Sequence, residues 1–336
     1  MTPVPLVRAV HLNVYLNVLR EIGEPVDRLL NRVGLPGSVE DNPNAYLLVP
    51  RVLALVSACG GSHAAMHLGF RAAQNLSFQS LRPETQAAFL NAPSGRARLR
   101  AMVRRCTFED SALVGGMVEE GRNLRVRCDM VGFEESPALA YSEWLQIYAF
   151  LLAVRSIAGA DWCPEEITLT THGTPPDAAY AALPNARILL GQPHCSILVP
   201  IETLARPCRR PAAPPVGSTP ETHAQLQTWT YGRGLREMLK PYMNDAPLDL
   251  AEAAEMLGTT ARTLQRRLDR NGMSFRKVLD EARYEIACDL LADRAMKIID
   301  VSFATGYENP QHFTRAFRRL AGISPRDYRK SLALAG

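Results

Sequence analysis

The stretch IIDVSFATGYENPQHFTRAFRRLAGISPRDYR, residues 298–329, reads as two short helices around a tight turn. Ile298, Val301 and Ser302 give the first helix a small or apolar face, and Gly306 suits the left-handed backbone of a helix end. Asn309 is a good N-cap, and Pro310 is well placed at the first helical position. Phe313 and Phe317, four apart, face one core together. Gln311, His312 and Arg315 are then left on the outward side near the helix N-terminus. Residues 309–320 hold three arginines and no acid, whereas a helix meant only for solvent would mix signs.

The same unit occurs once more upstream. In TTARTLQRRLDRNGMSF (259–275), Thr260 falls on Asn309, Leu264 on Phe313, Arg266 on Arg315 and Leu268 on Phe317. One residue of slippage later, Gly272 meets Gly322 and Ser274 meets Ser324. Ahead of these, Leu250, Ala253, Ala254 and Gly258 answer Ile298, Val301, Ser302 and Gly306. The outward residues of the first copy are Arg262, Gln265 and Arg266. Arginine suits the acceptor edge of guanine and glutamine that of adenine, so both copies point to base reading in a major groove.

Between the copies, SFRKVLDEARYEIACDLLAD (274–293) places Phe275, Val278, Leu279, Ala282, Ile286 and Leu290 on one expected apolar stripe. A helix of that length is a strut of about 26 Å. Successive groove faces on one side of a duplex lie about 34 Å apart, so two linked units can occupy both.

Outward from this repeat the chain changes character. RPCRRPAAPPVGSTPE (206–221) has the proline and small-residue content of a linker, and everything from about 222 onward reads helical. Before it, helical patterns run at about 5–22, 25–33, 50–59, 63–75, 83–90, 95–106 and 138–158. Alternation at Leu124, Val126, Cys128 and Met130 predicts a strand, as do 165–172, 186–191 and 196–200. The expected fold class is an α+β N-terminal domain followed by an all-α domain of two helix-turn-helix units joined by a connecting helix. The expected domains are 1–206 for ligand binding or dimerisation, 207–232 for linker and lead-in helix, and 233–332 for DNA binding. The two units lie at about 250–271 and 298–321.

Bulk composition agrees. The chain has 336 residues, 47% of them hydrophobic, as an ordinary globular protein of two domains would. Of the net +4, the part from residue 246 onward supplies 15 Lys+Arg against 12 Asp+Glu, leaving 23 against 22 before it. The seven cysteines are odd in number, scattered and without a Cys-x-x-Cys pair, which argues for reduced thiols over disulfides or zinc. No secretory signal opens the chain, and the apolar run 144–154 is too short for a bilayer, so the expected location is the cytoplasm.

Residues 233–332 resemble the DNA-binding domain of the AraC/XylS family of bacterial transcription regulators, with 298–329 following that family's signature closely. The resemblance implies base-contacting positions at Arg262, Gln265 and Arg266 in the first reader. In the second it implies Pro310, Gln311, His312 and Arg315. Ser302 departs from the alanine usual there. More loosely, LVRA (6–9), GLP (34–36), HLG (67–69) and ARILLGQPHCSILVP (186–200) resemble an arabinose-binding-like, non-cupin N-terminal domain found in one subgroup. The implied partners are double-stranded operator DNA, a small-molecule effector, RNA polymerase for an activator, and a second copy in a homodimer. No membrane partner, enzymatic activity, cofactor or metal is expected.

Other readings start from single features. An N-terminal domain without a cavity would favour a ligand-independent architectural DNA binder. Cys208 invites comparison with repair proteins that join an AraC-type domain to a methyl-accepting cysteine, but no histidine follows it and the zinc-binding cysteine set is missing. His63 and His67 share a helix face without a third ligand. Tyr141, Trp144 and Tyr148 form a stripe suited to core or to a cavity wall.

Overall fold

The computed structural model describes residues 4–59, 65–206, 208, 229–243 and 248–335. They fall into two compact units, one within 5–208 and one made of Val4 and residues within 229–335. The expected linker at 206–221 lies almost wholly outside the described residues.

The N-terminal unit opens with β1 (Leu6–Arg8), α1 (Ala9–Glu21) and α2 (Val26–Arg32). There follow β2 (Tyr46–Leu48), α3 (Val49–Cys59), α4 (Ala65–Gln74), α5 (Pro83–Leu90), α6 (Gly95–Val103) and the single turn α7 (Cys106–Glu109). Next come β3 (Leu113–Glu120), β4 (Asn123–Met130), α8 (Leu139–Ala158), β5 (Glu166–Thr168), α9 (Asp177–Ala182), β6 (Arg187–Leu189), β7 (Ser196–Pro200) and α10 (Ile201–Leu204). An open five-stranded sheet runs β3-β4-β7-β5-β6, antiparallel except for β5 and β6. β1 and β2 make a separate antiparallel pair.

The 20-residue α8 spans one core. Its Trp144, Ile147, Leu151 and Val154 are fully buried with Val126, Ile167, Ile197 and Val199 of the sheet. Phe70 of α4 meets Trp144 and Tyr148 edge-on, with centroids 5.0 and 5.6 Å away. A second core gathers Leu12, Leu16 and Leu19 of α1 with Leu30 and Leu55. Long and apolar as α8 is, no described helix is long and apolar enough to cross a membrane.

Three expectations need correction. The helix expected over 5–22 begins as β1, because Leu6–Arg8 finds β2 to pair with, and so short a segment has a period that fits either element. The expected strands at 165–172 and 186–191 shorten to three residues each. β3 was not expected at all. Its Gly115 and Gly116 lower strand propensity, yet a Cβ on Gly115 would stand 2.8 Å from Val103 Cγ1, so α6 requires the glycine.

The C-terminal unit is helical: α11 (Tyr231–Leu239), α12 (Leu250–Met256), α13 (Ala261–Arg270), α14 (Phe275–Ala292), α15 (Ile298–Ala304), α16 (Pro310–Ala321) and α17 (Pro325–Ala335). α14 is the expected connecting helix, 18 residues and thus about 27 Å long. Its apolar stripe is another correction. The buried residues are Val278 and Ala282 near one end and Ala287 and Leu291 near the other. Nine residues separate each matching pair, about 900° of helical rotation, so the two ends bury opposite sides. A single stripe presumes a single neighbour, and α14 has two: α11 packs along it, and α15, α16 and α17 pack on it as well.

Candidate nucleic-acid interface and effector cavity

Each reader is a helix pair whose turn is set by local chemistry. In the first, Asp249 caps α12 by accepting from the Ala251 and Glu252 N–H groups, and the Glu252 carboxylate accepts from the Asp249 N–H. Gly258 ends the helix at φ +60°, and the Thr259 N–H returns to the Ala254 carbonyl. Thr260 Oγ1 then caps α13, accepting from the Thr263 N–H at 3.2 Å. Leu264 and Leu268 are fully buried. That fixes Arg262 and Arg266 as exposed and Gln265 as half-buried. The Gln265 Nε2 donates to Asp269 at 2.8 Å, one turn along its own helix.

The second reader repeats the scheme with bulkier packing. Ser302, the departure noted in the sequence, is fully buried and its hydroxyl donates to the Ile299 carbonyl at 2.7 Å. Gly306 turns at φ +76°, and a Cβ there would stand 3.2 Å from the Met243 carbonyl oxygen. Asn309 Oδ1 caps α16 through the Gln311 N–H, and Pro310 takes the first position. Phe313 and Phe317 are buried among Tyr284, Tyr307 and Tyr328, with ring centroids 5.1–5.8 Å apart. Gln311, His312 and Arg315 are exposed and Pro310 is half-buried.

Several cations of this unit are held within the fold. Arg236 pairs with Glu281 (2.7 Å) and Glu285 (3.1 Å), and Lys240 with Glu237 (2.9 Å) and Glu285 (2.6 Å), tying α11 to α14. Arg319 reaches Asp280 at 2.7 Å, and Arg283 covers the Tyr307 ring at 5.0 Å. Arg262, Arg266 and Arg315 have no such partner among the described residues, and all three stand on the outward faces of α13 and α16.

The N-terminal unit holds a cavity of about 110 Å³ walled by α1, α3, α8 and the β3–β4 hairpin. Its lining is aliphatic and aromatic, including Val52, Leu53, Val56, Leu145 and Phe150, with Asp110 and Gln146 among the few polar groups. Of the expected Tyr141–Trp144–Tyr148 stripe, only Tyr141 reaches this wall. The cavity face of α8 is the next one round, carrying Ser142, Leu145, Gln146 and Ala149. Sequence periodicity had no signal for it, since α8 is apolar on most sides. Among the other single-feature candidates, His67 is exposed, while His63 lies outside the described residues. Cys208 is half-buried, its Sγ near the Arg206 carbonyl.

Residues 253–331 match the family model for a helix-turn-helix domain. Residues 23–208, more than half of the chain, match that for the N-terminal arabinose-binding domain of AraC transcription regulators. The chain belongs to the AraC family of transcription regulators. The ornithine utilization regulator of Pseudomonas aeruginosa is 32% identical over 146 residues, 42% of this chain and 42% of that protein. The chain thus spans less than half the length of that relative. The regulator VirS of Mycobacterium tuberculosis is 23% identical over 341 residues, 98% of each chain. The crystal structure of the regulator CdpR from Pseudomonas aeruginosa aligns over 91% of this chain and 96% of that one, at 18% identity and a TM-score of 0.41.

The cavity of this AraC-family chain carries its own titration. Burial pushes the Asp110 carboxyl up to about 7, against the single hydrogen bond from the Ala112 N–H at 2.8 Å. The unfolded chain releases that proton near ~3.9. Between those values the folded state binds more protons, so stability falls as pH rises from about 4 to 7 and is level beyond. Asp110→Asn keeps an acceptor for Ala112 and cannot ionise. The variant is expected to match the parent in urea denaturation near pH 4 and to exceed it by about 2–4 kcal/mol near pH 8. A difference that is constant with pH would show that Asp110 does not titrate in this range.

Proposed function

We propose that this regulator is a one-component switch: α13 and α16 read two neighbouring major grooves, and a small molecule in the N-terminal cavity sets how well they do so. The observation that carries the reading is the set of arginines on the outward faces of both readers. Arg262, Arg266 and Arg315 stand exposed there, without an ion-pair partner among the described residues and beside neutral donors. Arg262, Gln265 and Arg266, with Pro310, Gln311, His312 and Arg315, are the proposed base-contacting set. Gln265 must exchange its bond to Asp269 for an adenine edge.

The cavity favours an effector-controlled protein over an architectural binder. A ligand acts only through unequal affinity for two states of the protein, which differ here in operator affinity. The chain works as a regulator and not as a catalyst, in the cytoplasm where bacterial DNA lies. As an activator it would also touch RNA polymerase, and a homodimer would double the groove contacts.

Arg266→Ala and Arg315→Ala are each expected to weaken operator binding by about 1–3 kcal/mol, read by electrophoretic mobility shift. Binding to random DNA at low salt should change far less. Equal losses on both DNAs would make these arginines phosphate contacts and remove them from the base-reading set.

A further inference from the structure

We propose that the cavity takes a small apolar amine, its hydrocarbon body among the aliphatic side chains and its protonated amino group at the wall formed by Gln146. The inference rests on the effector reading above and gives that effector a chemical class.

The polar groups of the wall are of one kind. The Tyr15 hydroxyl is spent on the Tyr141 carbonyl, the Ser142 hydroxyl on the Leu139 carbonyl, and Glu109 on Arg8. What remains, beside the Thr85 hydroxyl and the Gln146 amide N–H groups, is accepting capacity. Gln146 is 7% exposed, and its Oε1 is buried without a hydrogen-bond partner among the described residues. Among the described residues, the Asp110 carboxyl accepts from the Ala112 N–H alone, and no lysine or arginine lines the cavity.

A second cavity of about 120 Å³ shares Cys128, Met130 and Gln146 with the first and continues the pattern. Among the described residues Asp129, Glu134 and Glu143 line it, again without lysine or arginine; Glu143 is held by the Thr170 and Thr171 hydroxyls, whereas Asp129 Oδ1 is buried without a partner. Buried acceptors left unmade are costly, so the occupant must donate. A carboxylate would sit unpaired opposite Asp110, and a buried unpaired charge is costlier still. A sugar, with a hydroxyl on nearly every carbon, needs many partners, and this wall is chiefly aliphatic. Positive charge on the ligand is what the Asp110 carboxyl and the unpartnered Asp129 Oδ1 favour. An engineered apolar cavity of roughly 150 Å³ holds benzene, so this one of about 110 Å³ takes a body of six carbons at most.

The test titrates the full chain with n-hexylamine, n-hexanol, hexanoate and L-arabinose by calorimetry, near pH 8. Hexylamine should bind tightest, at least ~10-fold over hexanoate and arabinose. Gln146→Leu, checked for native circular dichroism, should erase most of its margin over hexanol. Hexanoate or arabinose binding as well as hexylamine overturns the proposal, as does hexanol equalling the amine on the parent chain. Silence from all four also overturns it. A small-molecule fraction of host extract then decides the parent reading. If it alters operator affinity and Ala149→Trp abolishes the change, the effector reading stands and only the amine falls. If it has no effect, both fall.

Discussion

Four alanines inserted between Ala282 and Arg283 should shorten the protected stretch of the operator to about half. They should also lower affinity ~10²–10⁴-fold, as expected when a linked second binding event is lost. The insertion adds about 6 Å of rise and about 400° of rotation, a net turn of about 40°. It falls between the two buried faces of α14, so Val278 and Ala282 keep their neighbours, as do Tyr284, Ala287 and Leu291. Arg236 keeps Glu281 and Lys240 keeps Glu237, while their bonds to Glu285 and the Arg319–Asp280 pair are lost. Partly exposed pairs of this kind contribute about 0–1 kcal/mol each, so the unit should still fold. The two readers, however, no longer meet two grooves at once. Full affinity with a full footprint would mean that α14 is no ruler, and the two-groove reading would have to be abandoned.

Arg8→Ala should destabilise the N-terminal unit by about 3–5 kcal/mol in urea denaturation, the usual result of removing one partner of a buried ion pair. Arg8 is 3% exposed and its guanidinium reaches Glu109 (2.5 Å), Asn44 (2.5 Å) and the Ser80 carbonyl (2.8 Å). Glu109 also accepts from His11 at 3.1 Å and from the Arg82 N–H at 2.9 Å. Burial works to raise the Glu109 carboxyl, but His11, Arg8 and the Arg82 N–H outweigh it and hold the group at about 2. A depressed acid stabilises the fold above its unfolded value of ~4.3 and loses that contribution as pH falls toward 2. The gap between parent and variant should therefore narrow below about pH 4. Arg8→Met combined with Glu109→Leu should recover much of the loss, because an apolar replacement of both partners leaves no stranded charge. A single-variant cost under ~1 kcal/mol would show that solvent reaches Glu109 and screens it.

The contrast between these two regions explains what could be read in the chain. Caps at Thr260 and Asn309, the left-handed glycines, and the Leu264/Leu268 and Phe313/Phe317 pairs act within a few residues. Spacing alone displays them, and the exposure of five of the seven proposed contact residues, all but Gln265 and Pro310, follows by elimination. Arg8 and Glu109 are 101 residues apart, and β1 depends on a partner forty residues away. LVRA therefore shows as a resemblance without revealing that its arginine is buried. The cavity is further out of reach, being a space bounded by helices and a hairpin from well-separated stretches of sequence. In α14 the period was visible but its meaning was not, since half its apolar residues answer to each of two neighbours.

That division has an evolutionary consequence. The core of the second reader, Val301, Phe313 and Phe317 on Ala287 and Leu291, contains no residue of α12 or α13. Substitutions in the two cores should then add in their effects on stability, as they do for sites without shared partners. A lineage can accordingly rebuild one reading helix for a new half of its operator while the other half, and the protein that recognises it, stays as it was.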